Sequence, residues 1–351
     1  MKFKYNKVFL TGANGWLGRQ LVSTLLNGDN DVLENFDNNL CELNSLVYND
    51  NYKIGFRSEE LTSRHKIFKG DVRIKKDCEN FLNNSRNSVL IHLAGIIHPK
   101  KVKDFYEINF IGTRNIVETA IKKGVKKIIV MSSNSPIGCN SSGSEPFDEF
   151  SSYNPYMNYG KSKMKMEQYL INKMNDGINI TIIRSPWFYG NNMPERQYSF
   201  YKMIRKGIVP VIGNGENLRS KANVKNIAQG IILCANKKIA EKKIYWIADE
   251  NPYSYNEIID TIRKVLKIEF HLTVKNSRVE LPNLFGWIFE LFDFTLQKFG
   301  FYNQKIHVLS ELNKHIFCKI DLAKKELGYS PKINLYEGIK KALLANKKDL
   351  L

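Results

Sequence analysis

The chain has 351 residues, of which 43% are hydrophobic, enough for a large folded core. Its net charge of +18 favours anionic partners: nucleic acid, an anionic membrane surface or anionic substrates. The sequence contains no motif for binding DNA or RNA, no internal repeat and no low-complexity segment, so it predicts neither a nucleic-acid-binding protein nor a repeat protein. Codon bias of an AT-rich genome would equally account for much of the Lys and Asn.

The cysteines and histidines show neither metal-ligand spacing nor a pairing pattern, so no metal site is expected. The five cysteines are scattered along the chain: Cys41, Cys78, Cys139, Cys234 and Cys318. This distribution is typical of a reducing compartment, and residues 1–7 are too short for a signal peptide. We therefore expect a cytoplasmic protein.

Three glycines follow the first apolar run. Residues 11–18 contain Gly12, Gly15 and Gly18, after the apolar residues 8–10 and before a helical pattern over residues 20–26. A strand, a glycine-rich turn and a helix form the arrangement that binds the pyrophosphate of a dinucleotide. Gly12 would allow the tight turn, Gly15 the close approach of the phosphates, and Gly18 the close packing of helix on strand.

An acidic residue follows at the distance typical of a ribose-binding carboxylate. Residues 31–37 are predicted to form a second strand ending in Asp37, nineteen residues after Gly18. A carboxylate there would accept hydrogen bonds from the ribose hydroxyls and repel a 2′-phosphate, which favours NAD over NADP. Arg19 favours NADP instead, because a cation beside the turn could bind a 2′-phosphate. The alternative for Asp37 is an ordinary turn residue at a strand end.

A second carboxylate, Asp71, follows the apolar-flanked segment 65–68 and precedes Val72. At the carboxyl edge of a strand it could accept a hydrogen bond from the adenine amino group. By itself it would be interpreted as a surface aspartate.

A Tyr-x-x-x-Lys motif occurs at the start of a predicted helix. Tyr159 and Lys163 are four residues apart and therefore share one helical face. A free phenol, with a pKa of about 10, is a poor base at neutral pH. A neighbouring ammonium and a cationic nicotinamide would both favour the phenolate, which could then take a proton from a substrate hydroxyl while hydride leaves the same carbon.

The predicted elements alternate between strand and helix through about residue 187, which favours a parallel sheet covered on both faces. We therefore predict an α/β fold with a dinucleotide-binding domain over residues 1–187. Residues 188–351 are predicted to form a smaller substrate-binding lobe, with some segments returning to the main sheet.

Together these residues resemble the extended branch of the short-chain dehydrogenase/reductase superfamily. That branch includes nucleotide-sugar epimerases and dehydratases and the 3β-hydroxysteroid dehydrogenase-like enzymes. Six further segments carry the resemblance: 91–95, 108–115, 128–133, 184–190, 211–220 and 326–331. The resemblance implies a Rossmann-type doubly wound parallel sheet, NAD as cofactor in preference to NADP, and a homodimer.

The resemblance also assigns roles to individual residues. Ser133 becomes the third catalytic residue beside Tyr159 and Lys163, because its rival Ser132 would point the other way along the strand. The implied cofactor-binding positions are Gly12, Asn14, Gly15, Trp16, Leu17, Gly18, Asp37, Asp71, Val72, Leu93, Ala94, Gly95, Asn109, Tyr159, Lys163 and Pro186. The implied substrate-binding positions are Ser133, Asn134 and Arg219, of which Arg219 would meet a substrate diphosphate.

Residues 281–296 form a very apolar segment. Its polar or small positions fall on one helical face: Gly286, Glu290, Asp293 and, just beyond the segment, Gln297. The segment is too short and too acidic to span a bilayer of about 30 Å. It could lie in the membrane interface, which would place the protein peripherally on the inner face of the membrane. The alternatives are burial in the second lobe and a dimer seam.

Three functions remain open. The first is a sugar epimerase of surface-polysaccharide synthesis, which removes and returns hydride at C4 of a nucleotide- or polyprenyl-diphosphate-linked sugar. The second is a 3β-hydroxysteroid dehydrogenase-like oxidoreductase with a lipid substrate, and the third is a non-catalytic NAD-binding scaffold. The intact Ser133, Tyr159 and Lys163 argue against the scaffold. Dehydration is not expected, because Asn134 and Ser135 occupy the positions of the Asp-Glu pair of sugar 4,6-dehydratases.

Overall fold

The computed structural model describes residues 1–37, 40–48, 63–141 and 145–345. The strands, in chain order, are β1 (Lys7–Thr11), β2 (Glu42–Val47), β3 (His65–Lys69), β4 (Val89–His92), β5 (Lys127–Met131), β6 (Ile180–Arg184), β7 (Trp187–Tyr189), β8 (Pro210–Ile212), β9 (Leu218–Arg219), β10 (Lys221–Asn223), β11 (Lys243–Trp246), β12 (Tyr253–Ser254) and β13 (Val279–Leu281). Seven of them form one parallel sheet in the order β11-β6-β5-β4-β1-β2-β3. The predicted α/β fold with a doubly wound parallel sheet is confirmed.

The α-helices are α1 (Trp16–Asn27), α2 (Lys75–Phe81), α3 (Val102–Asp104), α4 (Thr113–Lys122), α5 (Met157–Asn175), α6 (Glu195–Lys206), α7 (Val224–Asn236), α8 (Tyr255–Ile268), α9 (Leu284–Lys298), α10 (Gln304–Glu311) and α11 (Leu335–Leu344). Two further segments are π-helical, Phe105–Gly112 and Ala323–Leu327, and Lys238–Ala240 forms a 3₁₀ turn. No helix among the described residues combines the length and the apolar character that crossing a bilayer would need.

Helices cover both faces of the main sheet, which explains why its central strands are continuous apolar runs. Every residue of β5 and β6 is buried, as is usual for parallel strands in the middle of a covered sheet. Leu21 of α1 and Ile231 of α7 belong to the core on one face. Ile116 of α4 and Leu170 of α5 belong to the core on the other face.

The strand order reverses between β1 and β4. The chain runs from β1 outward to β2 and β3, then returns to β4 and continues outward on the other side. In such sheets, dinucleotides bind in the crevice outside the carboxyl ends of the strands at the reversal point. The turn after β1 and the segment after β4 meet here so closely that a Cβ on Gly12 would lie 2.7 Å from the main-chain nitrogen of Ala94.

A second hydrophobic core lies beyond the main sheet. It joins α6, α8, α11 and β8 through buried side chains such as Tyr201, Ile262, Ile339 and Val211. From this half of the chain, α7 and β11 return to the main sheet and its core. The division into residues 1–187 and 188–351 remains a prediction.

The second strand does not lie where the sequence pattern placed it. Residues 31–37 form turns, and β2 is Glu42–Val47 instead. Asp37 is exposed, and its main chain pairs with Met1 and Phe3, which precede β1. Asp37 therefore lies near the amino edge of the sheet, at the opposite end from the crevice, and the predicted contact of Asp37 with the ribose is wrong. The chain leaves β2 at Tyr48, and residues 49–62 lie outside the described residues.

Candidate active site

Four strand ends bring the predicted site residues to one crevice. The glycine-rich turn follows β1, residues 93–95 follow β4, Ser132 and Ser133 follow β5, and Pro186 follows β6. Because these strands are parallel, their carboxyl ends share one edge of the sheet. The N-terminal turns of α5 add Tyr159 and Lys163 to the same edge.

The glycine-rich turn has the geometry that a dinucleotide requires. Gly12 adopts a φ of +73°, in the left-handed region. A Cβ on Gly18 would lie 2.1 Å from the carbonyl oxygen of Gly12, so the first turn of α1 packs directly on the turn. Gly15 is exposed at the N-terminus of α1, and no side chain caps that helix. The residues present therefore fit a pyrophosphate, which would bind the N–H groups at the start of α1.

The other predicted residues of this turn tie it to the second half of the chain. The Trp16 Nε1 group donates a hydrogen bond of 2.6 Å to the carbonyl of Asn191, and its ring packs edge-on against Phe188. Leu17 is buried in the main core, whereas Asn14 is half-buried. Cofactor roles for these three residues remain predictions.

Asp71 lies just beyond the carboxyl end of β3, as its motif predicted. Its carboxylate is already engaged, because it accepts hydrogen bonds from Nε and Nη2 of Arg73 at 2.8 and 2.6 Å. The Arg73 guanidinium also lies over the ring of Tyr48, at the end of β2. Val72 is buried against the helix that begins at Thr113. An adenine contact by Asp71 would have to compete with Arg73.

Asn109 holds the chain after β4 in place. It sits in the π-helical segment Phe105–Gly112 and forms two hydrogen bonds with the main chain of Ile96, at 2.8 and 3.0 Å. Its amide also donates to the hydroxyl of Ser162 on α5. Leu93, Ala94 and Gly95 therefore approach the crevice on a fixed backbone, with Gly95 exposed to it.

The three predicted catalytic side chains converge. Tyr159 and Lys163 are buried one turn apart on α5, and the Ser133 hydroxyl lies close enough to the Tyr159 phenol to lower its pKa. The Lys163 ammonium donates a hydrogen bond of 2.9 Å to the carbonyl of Met131, the last residue of β5. Ser133 also lies 3.4 Å from the side-chain oxygen of Asn134. The arrangement can pass a proton between a ligand hydroxyl and the phenol.

Burial dominates the acid–base properties of this group. It raises the pKa of Tyr159 to about 12, although the neighbouring Ser133 hydroxyl acts to lower it. It lowers the pKa of Lys163 to about 8, although the Glu167 carboxylate acts to raise it. In the protein without a bound nicotinamide, desolvation therefore sets the direction of the Tyr159 shift. A positive charge entering the crevice would favour the phenolate.

A buried ion pair that no sequence motif indicated supports this edge of the sheet. Arg184, at the end of β6, donates to Glu167 of α5 at 2.7 Å, with both side chains at most 2% exposed. Glu167 also accepts hydrogen bonds from Ser132, at 2.5 Å, and from Tyr153. The Ser132 side chain therefore points toward Glu167, whereas the Ser133 side chain faces Tyr159, as strand alternation predicted.

Two cations lie against one tryptophan beside the crevice. The Arg219 guanidinium is 5.1 Å and the Lys221 ammonium 5.3 Å from the ring centroid of Trp187, which follows Pro186. Both cationic residues are buried, and among the described residues neither forms a salt bridge; the Nε of Arg219 has no hydrogen-bond partner. Burial and the neighbouring Arg219 together lower the pKa of Lys221 to about 7, although the Asp249 carboxylate acts to raise it. Because Asp249 forms no salt bridge with Lys221 and no described carboxylate forms one with Arg219, an anion would stabilise these two buried cations.

A second group of aromatic and histidine side chains closes the crevice from the C-terminal side. Tyr302 packs edge-on against Phe105, which in turn contacts the ring of Tyr159. His307 of α10 forms a hydrogen bond of 2.7 Å with Asp293 of α9. Glu311 lies within electrostatic reach of Tyr159 and accepts a hydrogen bond from Arg219 through its carbonyl oxygen. Tyr302, His307 and Glu311 lie after the predicted site motifs and were not singled out from the sequence; of this group, only Asp293 was placed on the predicted polar face of residues 281–296.

A family model describing the 3-beta hydroxysteroid dehydrogenase/isomerase family matches residues 9–277. The chain belongs to this family. The predicted resemblance to extended short-chain dehydrogenases/reductases, of the NAD-dependent epimerase/dehydratase type, is confirmed. Its members use NAD or NADP in epimerase and dehydrogenase reactions.

Among the relatives described here, those with a named activity are less similar to this chain than one without. The protein y4nL of Sinorhizobium fredii, described as uncharacterized, is 43% identical over 96% of this chain and 94% of its own. A UDP-glucose 4-epimerase of Vibrio cholerae is 25% identical over 96% of this chain and 94% of its own. An N-acetyl-alpha-D-glucosaminyl-diphospho-ditrans,octacis-undecaprenol 4-epimerase of Escherichia coli O157:H7 is 27% identical over 81% of this chain and 77% of its own.

Solved structures share the fold. The crystal structure of UDP-glucuronic acid 4-epimerase from Bacillus cereus in complex with NAD superposes with a TM-score of 0.75 at 19% identity, covering 98% of this chain and all of that one. Within the described residues, no cluster of three or more His, Cys, Asp or Glu side chains is arranged to hold a metal ion.

Proposed function

We propose that this chain is an NAD-dependent epimerase that inverts a carbinol carbon, C4, of a sugar linked to a diphosphate, in surface-polysaccharide synthesis. The observation that carries the proposal is the pair of buried cations, Arg219 and Lys221, beside the convergent Ser133, Tyr159 and Lys163. The three side chains supply proton transfer, and the two cations supply a site for the anionic part of the substrate.

The cofactor would be held by the glycine-rich turn and the uncapped start of α1, with residues 93–95 and Pro186 along its path. NAD, when bound, accepts a hydride and returns it. The preference for NAD over NADP no longer has Asp37 as support. It rests on the B. cereus epimerase, whose structure contains NAD and whose fold this chain shares.

The chain's own residues would carry the proton. Ser133 would hydrogen-bond the reacting hydroxyl and align it with Tyr159, whose oxygen accepts the proton as the O–H bond breaks. The electron pair of the C–H bond leaves as hydride, and the carbon becomes a carbonyl. When hydride returns to the opposite face, Tyr159 gives the proton back and the configuration is inverted. Lys163, anchored on Met131, would keep a positive charge next to the phenolate.

The diphosphate would occupy the cation pair. Both cations lie close to the Trp187 ring, so one ligand could meet both. Phosphate oxygens would satisfy the unpartnered Nε of Arg219 and compensate the buried charge of Lys221. The V. cholerae and E. coli relatives are named for substrates that contain such a diphosphate.

A second candidate is a dehydrogenase acting on a hydroxyl of a lipid, in which the ketone leaves and reduced cofactor accumulates. The match to the 3-beta hydroxysteroid dehydrogenase/isomerase family favours it. Such a dehydrogenase would use the same proton transfer, but its substrate would have no anionic group to bind Arg219 and Lys221.

One assay separates the two candidates. Purified protein with NAD would be incubated with nucleotide-diphosphate hexoses in one series and with 3β-hydroxysterols in another. We expect C4 epimers, detected by NMR, without net accumulation of reduced nicotinamide. Stoichiometric accumulation of reduced nicotinamide with a sterol ketone, and no epimer from any diphosphate sugar, would refute the epimerase proposal. Tyr159→Phe serves as the inactive control that still binds NAD.

A further inference from the structure

Helix α9 is oriented with its polar side inward and its apolar side outward. Its buried residues are Gly286, Asp293 and Gln297. Helices of water-soluble domains normally bury the opposite side, because burial of apolar surface drives folding. The apolar side of α9 therefore has no partner within the described part of the chain.

The exposed side is large and rich in aromatic residues. We call it the α9 surface; its members, each at least 37% exposed, are Leu284, Phe285, Trp287, Ile288, Leu291, Phe292, Phe294, Phe299 and Phe301. Trp287 and Leu291 are each 68% exposed. Contiguous apolar surface on this scale marks an interaction site rather than ordinary protein surface.

The polar side fixes α9 to the catalytic part of the molecule. Gln297 accepts hydrogen bonds from the main-chain N–H and the side-chain amide of Asn158, at 3.1 and 3.0 Å. Gln297 also donates to Asp293, which binds His307. The orientation of α9 is therefore set by a buried hydrogen-bond network and leaves the apolar side facing outward in the native state.

Lysines border one end of the α9 surface. The segment 100–102 is joined to residues 300–302 by main-chain hydrogen bonds, from Val102 to Gly300 and from Tyr302 to Lys100. These bonds bring the segment's lysines next to lysines at and after the end of α9. The exposed lysines of this border are Lys100, Lys101, Lys103, Lys298 and Lys305. Lys103 forms an ion pair with Glu107.

We propose that the α9 surface docks on an anionic lipid bilayer. An apolar helical side with an exposed tryptophan, next to a group of lysines, has the chemistry that lies in the boundary between acyl chains and anionic headgroups. The charge decides between occupants, because lysines beside the apolar side complement anionic headgroups. A second copy of this chain, with a net charge of +18, would be repelled.

The α9 surface borders a cavity at the start of α5. A cavity of about 380 Å³ lies between α9 and the start of α5, lined among others by Tyr156, Lys161, Glu290, Phe294 and Lys314. Tyr156 precedes Tyr159 by one helical turn. Docking would thus bring this cavity to the bilayer, which favours a lipid-linked over a freely diffusing diphosphate sugar; this last step rests on the proposed function.

The test is vesicle co-sedimentation without substrate, so that its outcome does not depend on turnover. The full chain would be mixed with vesicles of phosphatidylcholine, alone or with phosphatidylglycerol as about a third of the lipid. We expect binding to the mixed vesicles and much weaker binding to the neutral ones. Trp287 is the most exposed of the four tryptophans, so its fluorescence should shift to the blue on binding, and Trp287→Phe should remove the shift.

Matched variants locate the contact. Leu284→Asp with Leu291→Asp should weaken binding at least about tenfold, because both leucines would enter the apolar layer. Ile268→Asp with Phe150→Asp removes two comparably exposed apolar side chains outside the α9 surface and should leave binding unchanged. Lys101→Gln with Lys298→Gln and Lys305→Gln should lower binding to mixed vesicles, whereas Lys122→Gln with Lys126→Gln and Lys242→Gln should not.

Two results would overturn the proposal. The first is absence of binding by the unmodified chain, or binding that the double leucine variant retains in full. The second is a stable dimer, detected by light scattering, that the leucine variant dissociates while neither protein binds vesicles, because the surface would then be a protein interface. Circular dichroism and NAD binding show in parallel that each variant is folded.

Discussion

The ammonium of Lys163 is held 2.9 Å from the carbonyl oxygen of Met131. This bond anchors the fourth residue after Tyr159 to the last residue of the central strand β5, so the helix and the sheet edge are locked together at the crevice. A Cβ on Gly95 would lie 3.6 Å from the same ammonium, which is therefore close to the exposed end of β4 as well. The ammonium therefore lies where α5 meets the ends of β4 and β5.

Tyr159→Phe should lower kcat at least about a hundredfold, because the phenol oxygen is the only atom removed and a general base typically contributes that much or more. The affinity for NAD, measured by calorimetry, should stay within about twofold, since the phenyl ring retains its packing on Phe105. Retention of most of the activity would remove Tyr159 from its proposed role.

Lys221 should make anion binding depend on pH. Its pKa in the folded chain is about 7, below the ordinary value of 10.5, so below pH 7 the ammonium is charged and available to a diphosphate. As the pH rises above 7, the affinity for a nucleotide-diphosphate hexose should weaken, by up to about tenfold per pH unit. Titration calorimetry of Lys221→Met should give weaker binding that varies far less with pH.

The same shift has a consequence for folding. Between pH 7 and 10.5 the unfolded chain binds more protons at Lys221 than the folded chain does, so this residue makes stability rise with pH across that window. Lys221→Met should remove that rise and, at pH 6, increase the free energy of unfolding by about 1–2 kcal/mol. Denaturant titrations at pH 6 and pH 9 measure both effects; a variant less stable than the parent at pH 6 would show that the ammonium has a counter-charge.

Glu167→Gln should destabilise the fold by about 3 kcal/mol, because it leaves the Arg184 guanidinium buried without a counter-charge. Asp176→Asn breaks a solvent-exposed pair with Lys173 and should change stability by less than about 0.5 kcal/mol. Urea unfolding of both variants gives the comparison. Similar losses would mean that burial of the Glu167 pair does not matter.

Gly18→Ala should abolish NAD binding, since its methyl group would overlap the carbonyl of Gly12 and displace the turn from α1. Gly28→Ala is the matched change at the other end of α1. No atom lies within 4 Å of its Cβ, and its φ of +75° predicts a stability loss of about 1 kcal/mol with unchanged NAD affinity. NAD titration at a temperature where both variants are folded distinguishes a local from a global effect.

Asp37→Ala should alter neither the affinity for NAD nor the ratio of NAD to NADP affinities, because Asp37 lies near the amino edge of the sheet. Fluorescence titration with both nucleotides checks this. A selective loss of NAD affinity would restore Asp37 as a ribose ligand and contradict its observed position.

The error at the second strand has a physical cause. In β2, polar residues occupy buried positions: Asn44 and Ser45 are at most 1% exposed. Ser45 is satisfied by a hydrogen bond of 2.8 Å to His65 on β3, and the Asn44 amide points to the carbonyl of Val8 on β1. Asn44 and Ser45 interrupt the apolar run that would otherwise predict a strand over residues 42–47. The partners that allow their burial are distant in sequence, so no local pattern indicated it. The segment 31–37 offered a better local pattern that the fold does not use.

Residues whose roles depend on the local chain were predictable. The turn after β1, the Tyr159–Lys163 pair and Ser133 each combine a short spacing with a strand or helix end, and all lie at the crevice. Residues such as Lys221 and Glu167 were not predictable, because their environments are assembled from Trp187 and Arg184 on other elements. The polar side of α9 was recognised from its spacing, but which side would face the protein depended on Asn158 and His307.

The π-helical stretch Phe105–Gly112 makes this part of the chain sensitive to length rather than to composition. Each residue of an α-helix turns the chain by about 100°, so deleting one residue here would rotate Asn109 away from Ile96 by that angle. Natural variants of this chain should therefore tolerate exchanges on the outer side of the stretch while excluding insertions and deletions within it.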